Sequence, residues 1–204
     1  YRIEVKFDMK GKLLFVNACL KGKDSRTLRV CRAFLNEIDG MEIEEVKLAE
    51  NALSPFKWTD VEKRDELALR EAWDDDAFAF ARQYKSADAV LIGAPYWDLS
   101  FPAVLKAYFE HICVAGLTFR YTEAGMEGIS DVKKTVYITT AGGFIGDKNF
   151  GAQYAEGVCG MLGCDDFSFV AAEGLDIIGM NVEALVSEAE ARAKKLAKQL
   201  SDCD

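Results

Sequence analysis

The stretch AVLIGAPYWDLSFPAVLKAYF, residues 89–109, decides the predicted fold. Its first six residues are small or apolar and lie between Asp88 and Pro95, a pattern typical of a strand buried on both faces of a parallel sheet. Pro95 ends this strand, and Pro102 suits the first turn of a helix. The apolar positions of that helix recur at helical spacing, at Val104, Leu105, Tyr108, Phe109 and Ile112.

The loop between this strand and helix carries two large aromatic side chains, Tyr96 and Trp97. It lies at the carboxyl end of the strand, where open α/β sheets bind their ligands. A flat ligand would give these side chains a function. Packing on neighbouring helices or at a subunit interface accounts for them equally well.

The rest of the chain repeats the alternation of strand and helix. Residues 113–131 fit neither period and are predicted to form a loop or a small hairpin. Ser25 and Asn181 are the expected N-caps of the first and last helices, and Asp60 and Asp74 could cap two more, ending near Trp73 and Lys85. Strands are predicted at residues 13–18, 41–48, 89–94, 132–140 and 167–172, and a further helix at 150–162. Five successive β-α units indicate a mostly parallel, doubly wound sheet.

Composition limits the classes of function. The chain has 204 residues, is 50% hydrophobic and 29% charged, and carries a formal net charge of -9, which argues against nucleic acid or an anionic membrane as its main partner. Its six cysteines and the lack of a signal or membrane-spanning run indicate a reduced, cytoplasmic protein. We expect one domain over residues 9–204, with residues 1–8 a short extension or an artefact of expression.

Basic residues concentrate in one loop of this acidic chain. Residues 21–32 contain five lysines and arginines and one acid, Asp24. Ser25 and Thr27 add hydroxyl groups at a helix N-terminus, where free N–H groups and the helix dipole favour an anion such as phosphate. A solvated basic helix face with an ordinary N-cap is the alternative. Similarly, Gly142 and Gly143 after the fourth strand leave room for a ligand, or form an ordinary turn.

Several common catalytic arrangements are missing from the sequence. There is no G-x-G-x-x-G after a strand, no P-loop and no G-x-S-x-G. The one histidine, His111, falls in a predicted helix and is expected to be structural, and Cys159 and Cys164 are too isolated for a zinc site. With no metal site and no catalytic side chain expected, a cofactor is the predicted source of the chemistry.

Four segments carry a resemblance to a known family. They are residues 94–99 (APYWDL), 105–109 (LKAYF), 115–123 (AGLTFRYTE) and 140–143 (TAGG). They resemble the A-P-M-Y-N-F flavin loop, the L-K-N-Y-F-D helix, the A-G-V-T-F-R-Y-T-E loop and the S-R-G-G turn of the FMN-dependent NAD(P)H oxidoreductases of the azoreductase and quinone-reductase family. This chain departs from the family at Ala18, Tyr96, Trp97, Asp98 and Ala141, where serine, methionine, tyrosine, asparagine and arginine are usual.

The resemblance implies a flavodoxin-like fold: a doubly wound, five-stranded parallel sheet with helices on both faces. It also implies a homodimer with one FMN per subunit, which passes a hydride from NADH or NADPH to a quinone, azo or nitroaromatic acceptor by a ping-pong route. The implied contacts are Ser25, Arg26 and Thr27 to the phosphate; Pro95, Tyr96, Trp97, Asp98 and Leu99 to the flavin ring; Thr140, Ala141, Gly142 and Gly143 to its polar edge; and Phe119 and Tyr121 to the substrate, from a position that the partner subunit could supply.

Two other functions stay open on the sequence. A flavodoxin-like electron carrier without its own NAD(P)H activity would suit the strong negative charge. A flavin-free α/β binding protein would keep the fold without the cofactor.

Overall fold

The computed structural model describes residues 11–51 and 53–201. Residues 1–8, for which we predicted an extension, lie outside the described part of the chain. None of the helices within the described part has the length and apolar character needed to cross a membrane.

Five parallel strands form the central sheet, in the order β2-β1-β3-β6-β7. They are β1 (Gly11–Asn17), β2 (Met41–Lys47), β3 (Ala89–Gly93), β6 (Lys134–Thr140) and β7 (Asp166–Ala172). All five residues of β3 are buried, as the apolar run predicts for the central strand. This order confirms the doubly wound sheet.

Helices cover both faces of the sheet. On one face α1 (Arg26–Leu35) and α6 (Val182–Ser201) share a core with Leu13 and Phe15 of β1. On the other face Leu14 and Val16 pack in the core that contains α3 (Ala79–Lys85), α4 (Ala103–Ile112) and α5 (Phe150–Met161). Successive side chains of β1 therefore point to opposite faces of the sheet and pack into two separate cores.

Two expected helix starts are wrong by a few residues. The helix predicted from Asp60 is α2 (Trp58–Leu69), and the Asp60 carboxylate reaches back to accept a hydrogen bond from the Lys57 N–H at 2.8 Å. Before α3 a short 3-10 turn intervenes, and Asp75 rather than Asp74 accepts the capping bond, from the Ala77 N–H at 2.9 Å. Adjacent acids compete for such caps, so composition alone does not choose between them.

Residues 119–128 form the expected hairpin, with β4 (Phe119–Thr122) paired antiparallel to β5 (Gly125–Gly128). The hairpin is anchored at the C-terminal ends of α3 and α5: the Lys85 ammonium donates to the Ile129 carbonyl, and the Ser130 hydroxyl donates to the Leu162 carbonyl at 2.6 Å. It therefore lies at the amino-terminal edge of the sheet, opposite the strand ends on which ligands are expected.

Candidate functional site

The winding of the chain reverses between β1 and β3. These strands are neighbours, with Asn17 opposite Gly93, but β1 leads into α1 on one face while β3 leads into α4 on the other. The loops after the two strands therefore separate and leave a crevice at the carboxyl edge. In doubly wound folds ligands bind at this topological switch point.

A cavity of about 160 Å³ occupies this crevice. We call it the crevice cavity. Four chain segments line it, following β1, β3, β6 and β7, with the residues Leu20, Lys21, Asp24, Ser25, Arg26, Thr27, Pro95, Tyr96, Trp97, Thr140, Gly142 and Asp176. Eight of the twelve predicted cofactor contacts thus lie together. The other four, Asp98, Leu99, Ala141 and Gly143, do not line the cavity.

The N-terminus of α1 forms one end of the crevice cavity. Ser25 is the N-cap, as predicted, and its hydroxyl oxygen accepts from the Leu28 N–H at 3.1 Å. The N–H groups of Arg26 and Thr27 lie in the first turn of α1, where the helix has no carbonyl to accept from them. They can therefore donate to a group outside the helix. This end of the cavity can bind an anion.

A hydroxyl pair joins α1 to the end of β6. The Thr27 and Thr140 side-chain oxygens are 2.6 Å apart, and both residues are buried. Since each residue also lines the crevice cavity, this bond sets the spacing between its helix wall and its sheet wall.

The aromatic loop after β3 forms a tight turn. Trp97 and Ser100 exchange two backbone hydrogen bonds, of 3.2 and 2.7 Å, around Asp98 and Leu99, which have φ angles of 50° and 67°. Side chains other than glycine are uncommon in this left-handed region. The turn directs Asp98 and Leu99 to solvent and leaves the Trp97 side chain, 38% exposed, at the mouth of the cavity.

One acidic side chain in the cavity was missed by the sequence analysis. The Asp176 carboxylate accepts from Arg26 Nη2 at 2.9 Å, and Arg26 Nη1 donates to the Leu175 carbonyl at 3.0 Å. A Cβ at position 142 would lie 2.3 Å from Asp176 Oδ2, so a larger residue there would displace the Asp176 carboxylate, whereas the space around Gly143 is open. The sequence did offer one indication that Asp176 could reach the site, because this residue lies just beyond the fifth strand, at the edge where ligands are expected.

The basic residues of this loop do not all face the same site. Lys21 and Arg26 line the crevice cavity. Arg29 instead forms ion pairs with Glu183 and Glu190 of α6, at 2.5 and 2.7 Å, and these carboxylates raise its pKa further above its ordinary value. Local sequence patterns do not predict these ion pairs, because Glu183 and Glu190 lie more than 150 residues away from Arg29 in the chain.

The predicted substrate residues lie away from the crevice cavity. Phe119 lines a different cavity, of about 280 Å³, and Tyr121 on the hairpin is 75% exposed. Their rings touch, with centroids 5.6 Å apart. The fold of one chain therefore does not bring them to the predicted flavin contacts.

His111 has a structural environment in α4, consistent with the prediction. Its ring lies 4.3 Å from that of Phe56, and burial, aided by the Arg64 charge, lowers its pKa. Within residues 11–51 and 53–201 no group of three or more His, Cys, Asp or Glu side chains is arranged to hold a metal ion.

The Thr27–Thr140 hydroxyl pair gives a test of how the cavity walls are held. We expect Thr27→Val and Thr140→Val each to cost roughly 1–3 kcal/mol of unfolding free energy, because each leaves a buried hydroxyl without its partner. The double variant should cost less than the sum of the two. Urea unfolding of all four proteins measures the coupling, and strictly additive losses would contradict a direct bond.

The sequence matches proteins of known family along most of its length. The profile of a family described as having a flavodoxin-like fold matches residues 11–197. The chain is 35% identical over 199 residues to "FMN-dependent NADH:quinone oxidoreductase 2" of Clostridium acetobutylicum, covering 93% of this chain and 99% of that protein. It is 36% identical over 202 residues to "FMN-dependent NADH:quinone oxidoreductase" of Coprothermobacter proteolyticus, with the same coverage.

Solved structures confirm the fold. An FMN-dependent NADH-azoreductase from Bacillus anthracis, solved in complex with FMN, superposes with a TM-score of 0.83 at 23% identity, covering 94% of this chain and all of that one. Together with the sequence matches, this shows that the chain belongs to the flavodoxin-like family that contains the FMN-dependent NADH:quinone oxidoreductases.

Proposed function

We propose that this protein is an FMN-dependent NAD(P)H oxidoreductase that reduces quinone, azo or nitroaromatic acceptors. The observation that carries the proposal is the crevice cavity, in which an anion-binding helix N-terminus and an aromatic turn face the same space. A phosphate and a flat ring are the two ends of FMN. Relatives that match nearly the whole chain bear the name of this activity, with NADH as the donor.

The residues of the cavity fit a phosphate at the α1 end. The N–H groups of Arg26 and Thr27 and the hydroxyls of Ser25 and Thr27 would donate to its oxygens. Arg26 and Lys21 supply positive charge. Asp176 keeps the Arg26 guanidinium in place along the cavity wall, and a dianionic phosphate would compete with it for the same N–H groups.

The aromatic turn fits a flavin ring. Pro95, Tyr96 and Trp97 would line the ring, and the Tyr96 hydroxyl, which donates to the Lys148 carbonyl at 2.8 Å, fixes the loop against the segment after β6. Gly142, which lines the cavity beside Thr140 and has no side chain, would let the polar edge of the ring approach the backbone. The side chains of Asp98 and Leu99 point to solvent, so we assign them to the shape of the turn.

The chemistry supplied by bound FMN would be hydride transfer in two stages, from NADH or NADPH and then to the acceptor, in ping-pong order. This chain's residues would bind and orient. The buried hydroxyl pair of Thr27 and Thr140 holds the two walls of the cavity together, and the Trp97 side chain at the cavity mouth would shield a bound ring from water.

The activity is tested by anaerobic reduction. NADH added to the FMN-loaded protein should bleach the visible flavin absorption much faster than in free FMN at the same concentration, and a quinone should restore it. Binding of FMN without bleaching by either nicotinamide would favour the electron carrier instead.

Arg26 is tested against phosphate directly. Arg26→Ala should weaken FMN binding roughly 10- to 100-fold, the effect of losing a charged hydrogen-bond donor, and leave riboflavin, which has no phosphate, almost unchanged. Fluorescence titration with both flavins measures the difference. Arg29→Ala is the matched control, because Arg29 on the same helix pairs with α6 and lies outside the cavity. Equal losses for FMN and riboflavin would remove Arg26 from the phosphate site.

We further propose a homodimer whose hairpin contributes Phe119 and Tyr121 to the partner's substrate pocket. The support is that these side chains lie away from the crevice cavity of their own chain, and that Tyr121 and Met126 expose apolar surface on the hairpin. Sedimentation equilibrium should give the mass of two chains. Tyr121→Ser/Met126→Ser should weaken the dimer, and Leu69→Ser, at an exposed apolar site on α2, should not.

The compartment we propose is the cytoplasm. Buried free thiols such as Cys159 and Cys164 suit a reducing environment.

A further inference from the structure

A second cavity lies beside the crevice cavity, on the other side of the loop after β1. It measures about 480 Å³, and Leu20 lines both cavities. We call it the thiol cavity, since its wall includes Cys19 together with Asn17, Leu28, Arg32 and Glu45. Cys19 is only 4% exposed on the whole protein, and this cavity is the space from which a small solute would approach it.

Cys19 lies next to a second thiol, that of Cys31 on α1. A Cβ placed on Gly93 would lie 2.6 Å from the Cys31 sulfur and 3.7 Å from the Cys19 sulfur, so the two sulfurs approach one point above the end of β3. The Cys19 thiol also contacts the Gly93 carbonyl at 3.5 Å. The absence of a side chain at Gly93 is what makes room for both sulfurs.

The two thiols differ in character. The neighbouring Cys31 thiol has the largest effect on the pKa of Cys19 and lowers it; Ser25 and the Arg32 charge act in the same direction, while burial and the Glu45 charge oppose them. Burial raises the pKa of Cys31 well above its usual value. Cys19 therefore has the character of a nucleophile, and Cys31 that of a thiol that keeps its proton until it reacts.

We propose that Cys19 and Cys31 form a hydroperoxide-reactive thiol pair that closes to a disulfide across the loop after β1. The Cys19 sulfur attacks one oxygen of hydrogen peroxide, the O–O bond breaks, and a sulfenic acid and one water form. The Cys31 sulfur then attacks the Cys19 sulfur, and the hydroxyl leaves with the Cys31 proton as a second water. Two thiols are oxidised to one disulfide, and one peroxide is reduced to two waters.

The disulfide would affect the crevice cavity, and this consequence rests on the proposed function. Residues 20–30, which the bond would close into a loop, include Ser25, Arg26 and Thr27, the proposed phosphate contacts. A sulfur–sulfur bond is about 2.05 Å long, so the sulfurs must move together and the loop must shift with them. Oxidation should therefore weaken FMN binding.

The other described thiols do not share these features. Burial raises the pKa of Cys159 to about 11, and that of Cys164 is raised by the same cause. Burial also raises the pKa of Cys113 to about 11. Neither Cys159 nor Cys164 lines the thiol cavity.

The experiment uses the full-length, reduced protein carrying Cys113→Ser and Cys203→Ser, which removes the half-buried Cys113 thiol and the Cys203 thiol that lies beyond the described residues. Hydrogen peroxide should remove two hydrogen atoms, about 2 Da, and two free thiols. Peptide mapping should join Cys19 to Cys31. With Cys31→Ser added, dimedone should label Cys19 as a sulfenic acid. With Cys19→Ser added, neither product should form, and Cys159→Ser should behave as the parent protein.

If a variant does not fold, the unsubstituted protein is treated with hydrogen peroxide and its disulfides are located by the same peptide mapping. No disulfide, or a disulfide that joins other cysteines, would overturn the proposal. FMN titration then separates it from the proposed function: the reduced protein should bind FMN, the oxidised protein roughly tenfold more weakly, and dithiothreitol should restore binding. A reduced protein that binds no FMN would refute the proposed function, while the mapped disulfide would stand independently.

Discussion

The backbone pairing of β1 with β3 is the constraint on which the site depends. Asn17 lies opposite Gly93, and the Ala18 N–H donates to the Gly93 carbonyl at 2.8 Å, so the two strands end together. The chain then continues from β1 to β2 on one side and from β3 to β6 on the other, and right-handed crossovers in opposite directions place the two helices on opposite faces. The crevice results from this divergence. The anion-binding end of α1 and the aromatic turn occupy its two sides for the same reason.

A small number of polar contacts then set the shape of the crevice cavity. The Thr27–Thr140 bond joins helix to sheet, the Tyr96 N–H donates to the Thr140 carbonyl at 3.0 Å, and Arg26 reaches across to the segment after β7. Each contact joins segments that are distant in sequence. The charges that line the crevice cavity balance, because Lys21 and Arg26 face it together with Asp24 and Asp176, in a chain whose net charge is -9. An anion would be bound by directed N–H groups more than by an overall field.

Gly93 lies between the loop that lines the crevice cavity and the pair of thiols, Cys19 and Cys31. As the last residue of β3 it pairs with β1, and its missing side chain leaves the volume that the Cys19 and Cys31 sulfurs share. Both thiols belong to the segment that carries the proposed phosphate contacts. Closing the proposed disulfide would thus act on the proposed phosphate contacts through one short stretch of chain.

The sequence by itself determined the sheet, the β-α alternation, the hairpin, the Ser25 cap and the three loops that meet at the carboxyl edge. These follow from local patterns: apolar runs, helical spacing and turn residues act over a few neighbours. Only the tertiary structure decided which residues of those loops face one another. Asp176 enters the cavity beside Arg26 and Arg29 pairs with α6, because their partners lie 150 and 154 residues away in the sequence. Phe119 and Tyr121 lie away from the cavity, on the hairpin. Side-chain direction at a strand end is set by packing across the fold, and local sequence does not record it.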